Sequence, residues 1–371
     1  MKRHRLAVLT LSMLLTLGTN SQSVSSDKEQ VSYPPLKEQF KDHFLVGAAI
    51  DYGEMYSTDS TLHKLIRREF NALVAGNCMK ADHTEPRENV FNFKDGDFLV
   101  AMAEKNQQVL TGHCLVWHSQ VPRWMFVDSV GNKVSREVLI ERMRNHIYKV
   151  AGHYRGKVRG WDVVNEAIEW NGDFRKSEYY KIIGEDFIRL AFQFAHEADP
   201  DAELYYNDYG MDSPGKREGV VRLIRDLKAH GLRIDAIGMQ SHLSLWTNLE
   251  EYEKSLIAFA NEGVKVMATE LDVSVLPWPG EMPNADISTS FEYQEKYNPY
   301  RNGLPAEVEA KLKDFYERLF AIYRKHSDVI TRVTFWGVHD GGSWLNGFPI
   351  KGRTNYPLLF DRQLRRKNIA L

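Results

Sequence analysis

Eight short apolar runs, separated by amphipathic stretches, constrain what this chain can fold into. The runs lie at 44–50 (FLVGAAI), 72–79 (ALVAGNCM), 108–117 (QVLTGHCLVW), 158–165 (VRGWDVVN), 203–209 (ELYYNDY), 236–243 (AIGMQSHL), 264–273 (VKVMATELDV) and 333–338 (VTFWGV). Between them, stretches such as 137–154, 180–198, 216–230, 249–261 and 306–326 carry apolar residues at helical spacing. Hairpin turn signals are mostly missing, so the strands are expected to run parallel with helices as crossovers. Closed on itself, this pattern is a (β/α)8 TIM barrel, and residues 37–371 suit one such domain with some loop insertions. The alternative is an open doubly wound sheet, but no Gly-rich dinucleotide fingerprint follows the first run.

In a parallel barrel the chemistry sits at the C-terminal ends of the strands. The second run ends in Asn77 and leads to Lys80. The third carries His113 and Trp117, with His118 and Gln120 just beyond. The fourth ends in Asn165-Glu166 and the fifth in Asn207-Asp208. The sixth carries Gln240 and His242, and the seventh Glu270 and Asp272, each pair two apart and so on one side of its strand. The eighth carries Trp336, with Asp340 and Trp344 after it.

Glu166 and Glu270 stand out because a carboxylate closing an apolar strand is costly to bury without partners. Three strands apart on a circle, they can face each other across the barrel mouth. Glycoside hydrolysis needs such a pair: one carboxyl protonates the leaving oxygen, the other attacks the anomeric carbon or activates water. His242 and Asp272 are placed to keep Glu270 ionised. Trp161 and its apolar neighbours suit Glu166 to hold a proton. Trp117, Trp336 and Trp344 offer flat faces to sugar rings. The rim histidines are scattered and show no HExxH or comparable spacing, so no metal site is expected.

Formal charge is −2, with 48 basic and 50 acidic residues, which gives no support for a nucleic-acid or anionic-membrane partner. The N-terminus has a basic start (Lys2, Arg3, Arg5) and an apolar run at 6–17, followed by small polar residues. It reads as a signal peptide over 1–23, too short to span a bilayer, although an uncleaved anchor is the competing reading. Export to the periplasm or the extracellular space is expected, with no membrane attachment after cleavage. Residues 24–36, with Pro34-Pro35, read as a linker or arm. Cys78 and Cys114 are too few for a disulfide framework and are expected to be buried free thiols, although each ends a run and the two could be neighbours.

At this point the chain resembles the endo-1,4-β-xylanases of glycoside hydrolase family 10. The stretches that carry the resemblance include FNALVAGNCMKADHTEP (70–86), GHCLVWHSQVPRWM (112–125), WDVVNEAI (161–168), YYNDYG (205–210), IDAIGMQSHL (234–243), TELDVSVLP (269–277) and FWGVHDGGSWLNGFPIKGRTNYPLLFD (335–361). The resemblance implies a retaining barrel enzyme with Glu166 as acid/base and Glu270 as nucleophile. Asn165 then looks like the residue that binds the sugar 2-hydroxyl, and His242 and Asp272 like the supports of the nucleophile. Asn77, Lys80, His113, Trp117, Gln240, Trp336 and Trp344 match positions that line the glycone side. No cofactor is implied. The partners are xylan and xylo-oligosaccharides, and a monomer is expected. Action on another β-1,4-glycan, or xylan binding without catalysis, are the competing functions.

The chain departs from the family pattern at one place. Where the family usually has Glu-Asn-x-Met-Lys, this chain has Gly76-Asn77-Cys78-Met79-Lys80. By resemblance the missing carboxylate hydrogen-bonds a sugar hydroxyl next to the cleavage subsite. The expectation is a roomier, weaker glycone subsite, and tighter binding of linear xylo-oligosaccharides by Gly76→Glu. The long 278–305 stretch, with Phe291, Tyr293, Tyr297 and Tyr300, is expected either to touch aglycone sugars or to pack on itself.

Overall fold

The computed structural model describes residues 33–279 and 295–371. Its strands are β1 (Leu45–Ile50), β2 (Ala72–Ala75), β3 (Val109–Trp117), β4 (Gly160–Asn165), β5 (Glu203–Asp208), β6 (Ala236–Met239), β7 (His242–Ser244), β8 (Lys265–Ser274) and β9 (Ile330–Phe335). All pairings among them are parallel. The order runs β1 to β6 in sequence, β6 pairs β8, β8 pairs β9, and β9 pairs β1. The sheet is therefore a closed barrel of eight strand positions. The sixth position is split into β6 and β7 by Gln240 and Ser241, and Ser241 sits in the left-handed region at φ +64°.

Outside lie α1 (Ser60–Glu69), α2 (Lys94–Asn106), α3 (Arg136–His153), α4 (Phe187–Ala198), α5 (Pro214–Ala229), α6 (Leu249–Asn261) and α7 (Ala306–Lys325). Local chemistry starts several of them. Ser135 accepts a hydrogen bond from Val138 N, Ser213 from Lys216 N ahead of a first-turn proline, and Asn248 from Glu250 N and Glu251 N. The expected 180–198 helix is two pieces, Glu178–Ile183 and α4, because Gly184 turns the chain at φ +97°.

The strands read as near-continuous apolar runs because both faces are covered. Every residue of β4 is buried. Trp161 points outward, fully buried, with its ring 6.0 Å from that of Tyr154 at the end of α3. It packs onto Gly112 of β3, where an added Cβ would stand 2.2 Å from the indole. Gly112→Ala is expected to destabilise the fold by about 1–3 kcal/mol or more through overpacking, read as a lower thermal midpoint.

The ninth strand begins three residues before the expected eighth run, at Ile330, because Arg332 hides the pattern. Its guanidinium is buried inside the barrel, where it hydrogen-bonds Thr111 and lies 5.6 Å from the Tyr205 ring. The second run ends as a strand at Ala75 rather than Met79, since Gly76 N bonds Ile50 O and a turn follows. Part of the expected arm is packed. Leu36 is fully buried, and Tyr33 donates to Asn368 at 2.7 Å. Cys78 and Cys114 are buried and free, and burial pushes the Cys78 thiol up to about 12, so both are unreactive packing residues as expected.

Candidate active site

Glu270 sits on β8 and is buried. Asn207, from the end of β5, donates to its Oε1 at 2.7 Å. His242, from β7, donates through Nε2 to its Oε2 at 3.1 Å. The other ring nitrogen of His242 lies 3.1 Å from Asp272 Oδ2, which also accepts from Trp344 Nε1 at 2.7 Å. Burial by itself would strip the His242 proton. Asp272 and Glu270 outweigh it and push the imidazole up to about 10, so it is a cation at neutral pH. Burial likewise opposes charge on Glu270. The His242 hydrogen bond, the imidazoles of His113 and His242, and Asn207 overcome it and hold the carboxyl below the ordinary glutamate value. Glu270 is thus held as an ionised carboxylate, the state in which a carboxyl can act as a nucleophile.

His242→Gln keeps a donor and removes the charge. The Glu270 carboxyl should then rise, because its anion loses an opposite charge in contact. The acidic limb of kcat/KM is expected to move to higher pH by about one pH unit, read from a pH–rate profile.

Glu166 follows β4 directly. Its backbone is left-handed at φ +59°, a strained conformation for a non-glycine residue. Two contacts hold it there, one of them braced from behind. Its N–H donates to Asn207 O at 2.9 Å, its carbonyl accepts from Arg175 Nε at 2.8 Å, and Arg175 is anchored by the Tyr209 hydroxyl at 2.8 Å. The carboxylate accepts from Trp117 Nε1 at 3.0 Å on one oxygen and from Gln240 Nε2 at 3.0 Å on the other. The indole against Glu166 is thus Trp117. Trp161 faces the helices, because successive strand residues point to opposite faces and a register shift lies between Asp162 and Val164.

Asn165 lies between the two carboxylates. Its Oδ1 accepts from Asn207 at 2.9 Å and Gln240 at 3.2 Å, so its Nδ2 is turned toward Glu166 Oε1, 3.4 Å away. That amide can donate to a ligand hydroxyl lodged between the carboxyls. Asn207, read from the sequence only as a rim residue, is the hub: its Nδ2 bridges Asn165 and Glu270, and its Oδ1 accepts from Thr269 at 2.6 Å. An amide ending the fifth run beside an aspartate was the available signal.

Toward β1 and β2 the rim continues. Lys80 Nζ donates to Asn77 Oδ1 at 3.0 Å and Gln120 Oε1 at 2.7 Å, and lies 4.8 Å from the Trp117 ring centre. His113 is buried and held by Asp162 at 2.8 Å, edge-on to Trp336 at 5.5 Å. Trp344 stands 4.9 Å from His242. The two carboxylates and the sugar-facing candidates therefore meet at one end of the barrel, whereas Asp340 is buried against Lys367 and the Leu358 N–H. Of the 278–305 stretch, Phe291 and Tyr293 lie outside the described residues. Tyr300 packs on the core, and its carbonyl accepts from Tyr356 OH at 2.9 Å.

Residues 35–370 match the family model described as glycosyl hydrolase family 10. The chain belongs to that family. It is 52% identical over 338 residues to endo-1,4-beta-xylanase A of Xylanibacter ruminicola, covering 91% of this chain and 92% of the relative. It is 40% identical to an endo-1,4-beta-xylanase of Geobacillus stearothermophilus, covering 90% and 95%. Among solved structures, a GH10 endoxylanase retrieved from a sugarcane soil metagenome superposes with a TM-score of 0.85 at 45% identity, covering 90% of this chain and 97% of the other. Xylanase XynB from Paenibacillus barcinonensis, complexed with a conduramine derivative, gives 0.81 at 36% identity, covering 90% and 96%. The family agrees with the barrel.

Proposed function

We propose that this chain is an endo-1,4-β-xylanase that cleaves internal bonds of xylan with retention of configuration. The observation that carries the chemistry is an ionised Glu270 joined to Glu166 through Asn207, Asn165 and Gln240. Glu270 is held ionised by a protonated His242 and by Asn207. Glu166 is clasped by Trp117 and Gln240.

In the first step Glu270 attacks the anomeric carbon while Glu166 gives its proton to the departing glycosidic oxygen. The bond to the aglycone breaks, and an α-linked ester to Glu270 forms. In the second step Glu166 takes a proton from water, whose oxygen displaces Glu270 and restores the β configuration. Asn165 Nδ2 is aimed to hold the 2-hydroxyl of the sugar being cleaved. Trp336 and Trp344 wall that sugar, and Asn77, Lys80 and His113 meet the glycone side. Xylan and xylo-oligosaccharides are the partners, and the protein acts as a monomer. Residues 1–23 direct export and are removed, a reading that rests on the basic and apolar N-terminal pattern.

The test is a time course on linear β-1,4-xylan and on β-1,4-glucan and mannan, with products resolved by length. Early release of mid-length xylo-oligosaccharides supports the reading. Faster cleavage of a hexose polymer, or release of single sugars from chain ends alone, overturns it.

A further inference from the structure

The room left by Gly76 is not empty. A Cβ built on Gly76 would stand 3.3 Å from Asp51 Cβ, 3.4 Å from Asp51 Cγ and 3.2 Å from Ile50 O. Asp51 follows β1 and leans across to the end of β2. Its Oδ2 accepts from Asn77 Nδ2 at 2.6 Å, while its Oδ1 accepts from Tyr52 N at 2.9 Å and so caps the short helix Tyr52–Met55. Asn77 Oδ1 in turn accepts from Lys80 Nζ and Gln120 Nε2, each at 3.0 Å. The orientation of the Asn77 amide is therefore set, with an acceptor on one side and two donors on the other. Through Lys80, which sits over the Trp117 ring, and Trp117 Nε1, this row of polar groups runs without a gap to Glu166.

We propose that Asp51 is a specificity-determining residue of this enzyme. Its carboxylate accepts a hydroxyl hydrogen bond from the xylose unit one position beyond the cleaved sugar on the glycone side. The site keeps a carboxylate beside Asn77, supplied by the neighbouring strand. The two carboxylate oxygens offer four acceptor positions; Asn77, Tyr52 N and the Glu54 N–H of the capping box take three, and one remains for a sugar hydroxyl. Asp51 is half-buried, so the residue is not sealed from solvent. On this proposal the subsite keeps a carboxylate in place of the expected extra room. A glutamate at position 76 presses its Cβ against Asp51 and Ile50 O and brings a second negative charge against the first, so Gly76→Glu alone should not tighten binding.

The proposal rests on xylan being the substrate, and the experiment separates the two. Aryl β-xyloside reaches only the cleaved-sugar position, whereas aryl β-xylobioside reaches one unit further. Turnover of the xylobioside by the unaltered protein reports on the substrate reading. The ratio of kcat/KM for xylobioside over xyloside reports on Asp51. Asp51→Ser keeps an N-cap oxygen for Tyr52 N and removes the carboxylate. It is expected to lower that ratio about 10- to 100-fold, as for loss of a hydrogen bond to a charged group. Asp51→Asn, which keeps shape and cap, should lower it in the same direction. Adding Gly76→Glu to Asp51→Ser should recover part of the ratio, since the competing carboxylate is then gone, whereas Gly76→Glu alone should not raise it. A ratio unchanged in both Asp51 variants would overturn the proposal, as would a rise with Gly76→Glu alone. Equal loss on both substrates without recovery by Gly76→Glu would reduce Asp51 to a structural cap.

Discussion

Glu270→Ala will leave a folded protein that no longer cleaves xylan, with kcat/KM lower by about 10⁴- to 10⁶-fold, as when a nucleophile is removed from a cooperating site. The cavity left by the carboxylate will remain lined by Asn207 and by His242. That environment is built for an anion, so added azide should occupy it. With an aryl β-xylobioside, azide then attacks from the face opposite the departing phenolate and gives the α-xylobiosyl azide. The anomeric coupling in the proton spectrum identifies it. A β-azide from this variant would show that Glu270 is not the nucleophile. Substantial xylan cleavage without azide would show that the ionised state of Glu270 is not used.

Glu166→Ala should behave differently, because a proton donor matters only where the leaving group needs a proton. On xylan the leaving alkoxide needs one, and the loss should be about 10²- to 10⁴-fold, the usual contribution of general acid catalysis. With a dinitrophenyl β-xylobioside the first step needs no proton, and the ester to Glu270 should form at close to its normal rate. Hydrolysis of that ester then lacks its base, so a burst of phenolate followed by slow turnover is expected. Azide attacking the α-linked ester should give the β-xylobiosyl azide, the opposite anomer to that from Glu270→Ala. Equal losses on both substrates, with no burst, would remove Glu166 from the acid/base role. The two variants together assign the roles by stereochemistry, independently of how far either substitution perturbs the fold.

The barrel itself was legible because its signal is local. Each strand is a short apolar run covered on both faces, and each crossover is a stretch with helical periodicity, so the alternation can be counted along the chain. The rim residues were legible for the same reason: polar groups that end apolar runs have one end of a parallel barrel to go to. The carboxylates Glu166 and Glu270, their neighbours Asn165, Asp272 and His242, and the indoles Trp117, Trp336 and Trp344 all follow from that rule. Where a charged residue goes inside the barrel, as Arg332 does against Thr111 and Tyr205, the local signal misplaces the strand start.

The tertiary structure decided how these groups are joined, and that depends on contacts far apart in sequence. Asn207 becomes the hub of the site only because β5 stands beside β4 in a register that sets Asn165 against Asn207. The positive charge on His242 arises only when β7 pairs β8 with His242 opposite Asp272. Trp161 turns to the helices and Trp117 to Glu166 because one residue of strand register moves a side chain to the other face. Gly76 by itself reads as a lost carboxylate. Only the packing of β1 against β2, with Ile50 paired to Ala75, brings Asp51 into the space beside it. Residue types and their periodicity thus set the architecture and nominated the chemistry. Charge states, hydrogen-bond direction and the placing of Asp51 beside Gly76 were set by distances between strands, which no local pattern encodes.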